Sequence, residues 1–365
     1  MKSLLLFSIS FFLSISLIAQ IKVDPIYDFL VWSDEFETDG AINSDKWFHQ
    51  TQLPNGDSWY NGEVQHYTDR IENSYVENGI MFMLAKKETF TDQGVEKNYT
   101  SARLNSKFAF TYGRVEVRAK LPYGVGTWPA IWMLGKNIEE EGSYWDIEGY
   151  GNTPWPACGE IDIMEHWGQN QNFVQSALHT PSSYGNTVNL GGQVIDNASN
   201  AYHIYSVDWY EDRMVFGVDD VVHYVYQPEV QNAETWPFDE EQFILLNVAI
   251  LPNISTTFTQ SSMDIDYVRV YQDTSTVSID NLTQPNINIF PNPVIDVCNI
   301  QITNELVGSY ISIYNIQGQL IDSFQATETN IQINTSSWKS GIYLLKYETK
   351  FSFKTYKIIK NKFND

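Results

Sequence analysis

Residues 159–168 read Gly-Glu-Ile-Asp-Ile-Met-Glu-His-Trp-Gly. Side chains of a β-strand point alternately to its two faces, so Glu160 and Asp162 share one face and the two isoleucines share the other. Strict alternation would place Glu165 with the isoleucines. A one-residue bulge at Met164 restores the phase and returns Glu165, and the tryptophan two residues later, to the acidic face. The stretch therefore predicts a bulged strand with three carboxylates on one side.

Three neighbouring carboxylates repel one another, so at least one is expected to hold its proton near neutral pH. Glycoside hydrolysis needs such an unequal pair, because one ionised carboxylate attacks the sugar while a protonated carboxylic acid donates to the leaving oxygen. Glu160, Asp162 and Glu165 are therefore candidate catalytic residues. The same pattern is also compatible with a solvated acidic strand face or with a calcium site.

The surrounding sequence alternates with period two almost everywhere, and long helical patterns are missing. Strands are predicted at Tyr112–Leu121, Phe243–Ile250 and Met263–Tyr271, and a hairpin at Met214–Val218 and Val221–Tyr226 around two aspartates. Many short strands between Gly, Asn and Asp turns favour an all-β fold, a β-jelly-roll sandwich.

Both ends of the chain differ from this central part. Lys2, the apolar run Leu4–Ile18 and the small residue Ala19 predict a signal peptide over residues 1–19, with a single membrane anchor as the alternative. The polar stretch 273–285 is predicted to be a linker after the domain at 20–272.

The C-terminal part, residues 286–365, shows a second set of short alternating segments and predicts a small β-sandwich. Its strands are expected at Ile287–Phe290, Cys298–Thr303, Tyr310–Ile316, Ile331–Ile333 and Ile342–Tyr347, before a final Lys-rich strand.

Charge and cysteine content restrict the function. The chain has a net charge of −23, and the acidic excess lies between residues 20 and 277. Such a domain repels polyanions, so nucleic acid is not expected as a partner and heavily sulfated polysaccharides are disfavoured. Cys158 and Cys298 lie in different predicted domains and are not expected to pair, and no Cys/His cluster has zinc spacing.

The stretch at residues 159–168 resembles the active-site signature of glycoside hydrolase family sixteen in the bulged form typical of laminarinases. The resemblance extends from about Leu30 to Gln272. Further matching segments are Leu30–Phe36, Trp59–Glu63, Ser101–Arg103, Tyr112–Glu116, Gly126–Trp132, Trp236–Phe238 and Asp266–Tyr271.

This resemblance implies a curved β-jelly-roll with an open cleft on its concave face. It implies Glu160 as the nucleophile, Glu165 as the acid/base and Asp162 as the residue that supports the nucleophile. A covalent glycosyl-enzyme, retained anomeric configuration and chemistry without a cofactor follow from it.

The resemblance also implies residues that bind sugar. Trp128 and Trp132, four apart on a strand, face the same way and are expected to stack on glucosyl rings, although either could be a core residue. The other candidates for sugar contacts are Asn61, Glu63, Arg103, Trp167 and His179, each of which could instead be structural. Glu35, the carbonyl of Gly79 and Asp266 approximately match a structural calcium site of some members, although ordinary hydrogen bonding could explain the same residues.

Two departures from the family pattern stand out. The segment 136–155 is longer than the turn of many relatives, and it is expected either to wall off one end of the cleft or to form a solvated loop. Residues Asn247–Asn253 lack the Gly-Gly-X-Trp pattern, so a sugar-stacking tryptophan is missing.

The C-terminal part resembles the sorting domain of type IX secretion, in Phe290–Val294, Ile313–Gly318 and Ser340–Tyr343. That resemblance implies recognition by an outer-membrane secretion machinery and a secreted or cell-surface protein. The alternative is a carbohydrate-binding sandwich, which is disfavoured because Trp338 is the only tryptophan there.

The leading interpretation is a monomeric, secreted endo-β-1,3-glucanase that acts on laminarin and also on mixed β-1,3/1,4-glucans. An agarase, porphyranase or carrageenase on the same fold is the nearest alternative. A non-catalytic β-glucan-binding protein is the alternative from another class, and the presence of all three acids argues against it.

Overall fold

A computed structural model describes residues 26–54, 56–273, 287–302, 306–316, 319–348 and 353–361. The predicted signal peptide, residues 1–19, lies outside the described residues, as does the predicted linker apart from Asp273. In the described part of the chain, no helix has the length and apolar content needed to cross a lipid bilayer.

Residues 26–273 form an almost entirely β structure. A single helical turn, α1, spans Tyr144–Ile147, and 3-10 turns lie at Tyr60–Gly62 and Gly168–Asn170. The strands are β1 Phe29–Asp34, β2 Trp47–His49, β3 His66–Tyr67, β4 Ser74–Glu77, β5 Ile80–Asp92, β6 Val95–Ser101, β7 Arg103–Phe110, β8 Gly113–Lys120, β9 Thr127–Gly135, β10 Glu160–His166, β11 Phe173–His179, β12 Leu190–Val194, β13 His203–Trp209, β14 Met214–Val218, β15 Val221–Tyr226, β16 Gln242–Ile250 and β17 Gln260–Gln272.

These strands make two sheets that pack on one apolar core. The larger sheet has the order β15-β14-β13-β8-β17-β5-β6-β3, with β1 beside β17 and β4 beside β5; the smaller has the order β12-β11-β10-β9-β16-β7-β2. The core takes Val115 and Val117 from the larger sheet and Ile131, Met133 and Ile161 from the smaller. The predicted all-β sandwich is confirmed, and the predicted strands around it are all present.

The face of the smaller sheet that points away from this core is called the open face. Trp128 and Trp132 of β9 lie on it and are half-buried, while Ile131 between them is fully buried. Across the ladder, Trp132 pairs with Leu245 of β16 and with Asp162 of β10. Period-two alternation thus separates apolar core residues from the aromatic and acidic residues of the open face.

The predicted hairpin between β14 and β15 is present. Asp219 and Asp220 form its turn with φ values of 50° and 63°, the left-handed conformation that a two-residue hairpin turn requires. The N–H of Ile204 donates to the Asp219 side chain at 2.9 Å, which fixes the turn against the neighbouring strand.

The C-terminal part forms two further sheets around its own apolar core. Its strands are β18 Asn288–Phe290, β19 Val297–Gln301, β20 Tyr310–Asn315, β21 Leu320–Gln325, β22 Asn330–Asn334, β23 Gly341–Glu348 and β24 Phe353–Lys360, paired as β18-β19-β22 and β21-β20-β23-β24. Strand β21 is not among the strands expected from the sequence. Cys158 and Cys298 are both free and buried, so the expectation of no disulfide between them is confirmed.

Gly159 lets the chain turn directly into β10. Its φ is +77°, and a Cβ there would lie 2.7 Å from the carbonyl oxygen of Pro237 and 2.8 Å from the Phe238 ring. Gly94, in the turn between β5 and β6, has nearly the same φ of +78° but nothing within 4 Å of a Cβ. The two glycines therefore share a backbone conformation and differ in the space around them.

We expect Gly159→Ala to destabilise the protein more than Gly94→Ala. Both substitutions incur about 1–2 kcal/mol of left-handed strain, and Gly159→Ala adds about 1–3 kcal/mol of overpacking. Chemical denaturation followed by tryptophan fluorescence measures both losses. Equal losses would show that the contacts with Pro237 and Phe238 relax without cost.

Candidate active site

The bulge predicted in β10 is present. Asp162 pairs with Ala177 of β11 and Glu165 pairs with Gln175, so two residues of β10 stand opposite one residue of β11. Ile163 and Met164, which are consecutive, both pack into the core. Glu165 is therefore returned to the open face, where its carboxylate accepts a hydrogen bond from the indole N–H of Trp128 at 3.1 Å.

Glu160 and Asp162 lie beside each other on that face. The Nε2 atom of His179 is 3.6 Å from Glu160 Oε1 and 3.3 Å from Asp162 Oδ2. One carboxylate oxygen of Glu160, one of Asp162 and one ring nitrogen of His179 all lie within 4.8 Å of one another. The backbone N–H of Gly185 donates to Nδ1 of His179 at 2.9 Å, so in the neutral ring the proton is on Nε2, which faces the two carboxylates.

Glu160 has a second donor, Trp155, whose indole N–H donates to Glu160 Oε2 at 2.7 Å. The Trp155 ring lies 5.7 Å from the His179 ring and 5.3 Å from the Tyr184 ring, measured between centroids. The sequence interpretation placed Trp155 only within the long segment 136–155. Its position five residues before the nucleophile candidate, next to a proline, was the available signal.

Segment 136–155 packs on the sheet through residues 138–145, whereas residues 147–150 are exposed to solvent. Its base is closed by hydrogen bonds from the N–H groups of Asn152 and Thr153 to the Asn137 carbonyl, each 3.0 Å long. Ile138 is buried in a small apolar cluster at the edge of the sheet, and Glu140 forms a buried ion pair with Arg103, with 3.1 Å between Nη2 and Oε1. The segment thus holds Trp155 through contacts at both ends.

The side chains of Arg103 and Glu63 are both buried. The Arg103 guanidinium is 4.8 Å from the Trp132 ring centroid and 5.2 Å from the Trp59 centroid. Glu63 accepts hydrogen bonds from the Tyr67 hydroxyl at 2.8 Å and from Gln65 at 2.6 Å. Burial raises the pKa of Glu63.

This polar network reaches the open face through Asn247. The Trp132 indole donates to Asn247 Oδ1 at 2.7 Å, and the Asn247 amide donates to Tyr67 at 3.2 Å. The Trp132 ring is therefore held by its hydrogen bond to Asn247 and by the Arg103 guanidinium against its face.

The other aromatic candidates cluster near Glu165. Trp128 and Trp167 stack at 5.9 Å with an interplanar angle of 20°. Asn61 is exposed in the 3-10 turn before Glu63, with φ of 57°. The structure thus brings Trp128 and Trp167 together with Glu165, and it places Asn61 in an exposed turn.

The calcium candidates lie elsewhere. Glu35 follows β1, Gly79 is in the turn between β4 and β5, and Asp266 is in β17 of the larger sheet. Glu35 makes a bidentate ion pair with Arg269, at 2.9 and 2.8 Å, and Asp266 pairs with Arg118.

Burial and mutual repulsion keep the acids of the open face partly protonated. Burial raises the pKa of Glu160 to about 8 and repulsion by Asp162 adds to the shift, whereas His179 and the Trp155 N–H oppose it. Burial also raises the pKa of Asp162 and Glu165 to about 8 each, and for Glu165 repulsion by Asp162 contributes, opposed by His179 and the Trp128 N–H. The group therefore retains protons near neutral pH, as an acid/base site needs.

Comparisons with known proteins agree with this geometry. The sequence model of Glycosyl hydrolases family 16 matches residues 61–269. A "Beta-glucanase" from Rhodothermus marinus is 36% identical over 260 residues, which cover 67% of this chain and 85% of that protein. The chain belongs to glycosyl hydrolases family 16. The chemistry of this family-16 hydrolase therefore requires no cofactor.

Two further relatives place the family-16 hydrolase among glucan-active proteins. A "Glucan endo-1,3-beta-glucosidase" from Cryptopygus antarcticus is 33% identical over 262 residues, covering 66% of this chain and 90% of that one. A crystal structure of a LamA variant from Z. galactanivorans, in complex with laminaritriose and laminaritetraose, is 45% identical. It has a TM-score of 0.63 and covers 68% of this chain and 100% of that chain.

The C-terminal part of the family-16 hydrolase matches a second sequence model, Secretion system C-terminal sorting domain, over residues 288–361. This match confirms the resemblance to a type IX sorting domain. The protein is therefore a secreted or cell-surface glycoside hydrolase.

We expect Glu160→Gln to raise the melting temperature, and to raise it more at high pH. The folded-state pKa of Glu160, about 8, exceeds the ordinary 4.5, so between these values the folded state binds more protons and stability falls as pH rises. Removing the charge should add a few degrees at about pH 8, given roughly 2–4 °C per kcal/mol, and almost nothing at about pH 4.

Circular dichroism melts at both pH values measure this effect, with Glu96→Gln, an exposed acid on β6, as the control. A gain of equal size at both pH values would contradict repulsion as its source.

Proposed function

We propose that this chain is a retaining endo-β-1,3-glucanase that hydrolyses laminarin-type glucans. The observation that carries the proposal is the bulge in β10, which brings Glu160, Asp162 and Glu165 to one face of the sheet. The glucan-active relatives, and the laminarin oligosaccharides bound to LamA, support the substrate class. Activity on mixed β-1,3/1,4-glucans is part of the proposal.

In the first step, the Glu160 carboxylate attacks the anomeric carbon and Glu165 gives its proton to the glycosidic oxygen that leaves. The C–O bond to the leaving sugar breaks, and a covalent glycosyl-enzyme forms on Glu160. In the second step, Glu165 takes a proton from water, the water oxygen attacks the anomeric carbon and Glu160 is released. Two inversions at the same carbon retain its configuration.

The hydrogen bonds support this division of roles. Glu160 accepts a hydrogen bond from the Trp155 N–H and lies 3.6 Å from Nε2 of His179, and both contacts favour its ionised form. Asp162 lies between the two glutamates in sequence and shares the His179 contact. Its repulsion raises the pKa of both neighbours, which favours a protonated Glu165 before each turnover.

Aromatic side chains beside the acids supply surfaces for sugar rings. Trp128 and Trp167 stack near Glu165, and Trp132 lies on the same strand as Trp128 with its plane held by Arg103. Indole faces pack well on the apolar faces of pyranose rings. Asn61, Glu63, Arg103 and His179 remain predicted substrate-binding residues, and for Glu63 and Arg103 burial favours a supporting role.

A structural calcium ion at Glu35, Gly79 and Asp266 stays a prediction. Both carboxylates are already paired with arginines, Arg269 and Arg118. Ca²⁺ prefers six to eight oxygen ligands, so the ion would have to displace two guanidinium groups. We also propose a monomer with domains at 20–272 and 286–365, joined by a linker at 273–285.

We expect the wild-type protein to release reducing sugar from laminarin faster than from lichenan, agarose or carrageenan. Glu165→Gln should lower kcat/KM on laminarin by about 10²–10⁴ because proton donation is lost, and Glu160→Gln should lower it at least as much. Product sizes by chromatography report internal cleavage, and proton NMR of the first products should show the β-anomer.

Glu96→Gln is the matched control for these variants. Digestion of galactans alone would contradict the glucan substrate and favour the agarase-like alternative. Laminarin binding without any release by the wild-type protein would instead indicate a non-catalytic glucan-binding protein.

We expect Trp155→Phe to slow catalysis while preserving the ring contacts with His179 and Tyr184. A hydrogen bond to a charged group contributes about 1.5–3 kcal/mol, so kcat/KM should fall about 10- to 100-fold. Losing a donor to the carboxylate raises the pKa of Glu160, so the acidic limb of the kcat/KM–pH profile should move to higher pH.

Tyr150→Phe, at an exposed ring in the same segment, is the control for this substitution. An unchanged acidic limb in Trp155→Phe would contradict a role for this hydrogen bond in keeping Glu160 ionised.

A further inference from the structure

Ser176 of β11 stands opposite the bulge. On the β11 side, Ala177 pairs with Asp162 and Gln175 pairs with Glu165, which leaves Ser176 facing both Ile163 and Met164. Its own side chain is fully buried between Val174 and Leu178, two residues of the apolar core. A hydroxyl group therefore lies inside the sandwich at the point where β10 departs from regular alternation.

The hydroxyl of Ser176 is bonded on two sides. It donates to the carbonyl oxygen of Ile163 at 2.7 Å, and it lies 2.9 Å from Nε2 of His223. A serine hydroxyl has one proton, so with that proton on the Ile163 bond it accepts the second bond from the Nε2–H of His223. Two hydrogen bonds through the Ser176 hydroxyl thus link the backbone of the bulge to His223.

His223 lies on β15, an edge strand of the larger sheet, whereas Ser176 lies on β11 of the smaller sheet. The Ser176–His223 bond therefore crosses the interior of the sandwich. Burial lowers the pKa of His223. Among the described residues, its buried Nδ1 has no hydrogen-bond partner, so the only hydrogen bond recorded for this ring is the one that reaches Ser176.

Ser176 is fully buried and His223 is partly buried, and polar groups removed from water are costly unless their hydrogen bonds are made. An alanine at 176 would satisfy the packing but would remove the donor to Ile163 and leave Nε2 of His223 unpaired, at about 1–3 kcal/mol for each buried group. The polar pair thus stabilises one specific backbone arrangement, the one in which β10 contains an extra residue.

We propose that Ser176 and His223 are positioning residues that hold the bulge of β10 and thereby keep Glu165 directed at the substrate. Neither side chain lies on the open face, so both act through the backbone of Ile163. The proposal rests on the proposed role of Glu165 as the acid/base. Without the bulge, Glu165 would return to the core face, since a shift of one residue exchanges the two faces of a strand.

The test compares Ser176→Thr, which keeps the hydroxyl, with Ser176→Val, which has nearly the same shape without it. Both variants add a methyl group to the core, so the packing penalty is shared. His223→Gln, which keeps an N–H donor, and His223→Leu form a second pair in case the first fails to fold.

Two substrates separate positioning from general damage. Cleavage of laminarin needs proton donation by Glu165 to the leaving sugar. The leaving group of 2,4-dinitrophenyl β-laminaribioside needs almost no proton donation. For both substrates, kcat/KM reports the first step alone. We expect Ser176→Val to lower kcat/KM on laminarin about 10- to 100-fold, the equivalent of about 1.4–2.7 kcal/mol. On the aryl glycoside the loss should be less than about threefold, and Ser176→Thr should stay close to wild type on both substrates.

Equal losses on the two substrates, or equal effects of the valine and threonine variants, would overturn the proposal. Amide hydrogen exchange of the peptide covering residues 160–167 gives a readout that does not depend on activity. Exchange should be faster in Ser176→Val than in Ser176→Thr, and unchanged protection would overturn the proposal as well.

The proposed function fails in a different way. It fails if wild-type protein does not cleave laminarin, or if Glu165→Gln shows no difference between the two substrates. In that case the exchange experiment still decides whether Ser176 holds the bulge.

Discussion

The active site depends on whether Glu160 and Glu165 point to the same face of β10. Glu160 and Glu165 are five residues apart, and an odd separation puts two side chains on opposite faces of a regular strand. One extra residue reverses that parity, so Ile163 and Met164 both enter the core and Glu165 joins Glu160 outside. Strands β9 and β11 pair with β10 on either side of this irregularity.

Burial and repulsion then act alike on the acids that the strand brings together. Three buried carboxyl groups all have raised pKa values, but their donors differ. Glu160 accepts a hydrogen bond from Trp155 and Glu165 accepts one from Trp128, while His179 lowers the pKa of both. With pKa values near 8, the group holds both protons and negative charge near neutral pH, which is the condition for a double displacement.

Much of this could be predicted from the sequence because local alternation encodes it. Strands β8, β10 and β14 to β17, the β14–β15 turn and the bulge follow from neighbouring residues alone, whereas β12 and β13 were not predicted. Strand β21, Leu320–Gln325, did not, because its six residues offer little apolar alternation and most are exposed.

Contacts between distant segments could not be read from any pattern. Trp155 donates to Glu160 from a segment that is held in part by the pair of Glu140 with Arg103, thirty-seven residues earlier. The sequence left Arg103 open between sugar binding and a structural role, and its burial between two indole rings could not be read from it. Ser176 and His223 lie on different sheets, so their meeting depends on how the sheets stack.

The way segment 136–155 is attached has a consequence for the divergence of this enzyme. The stretch that borders Glu160 also supplies one of the hydrogen bonds to its carboxylate, through Trp155. Shortening or exchanging the stretch to admit a different polysaccharide would therefore alter the reactivity of Glu160 at the same time. Under the proposed roles, the choice of substrate and the rate of turnover share this stretch, so a change that alters one also alters the other.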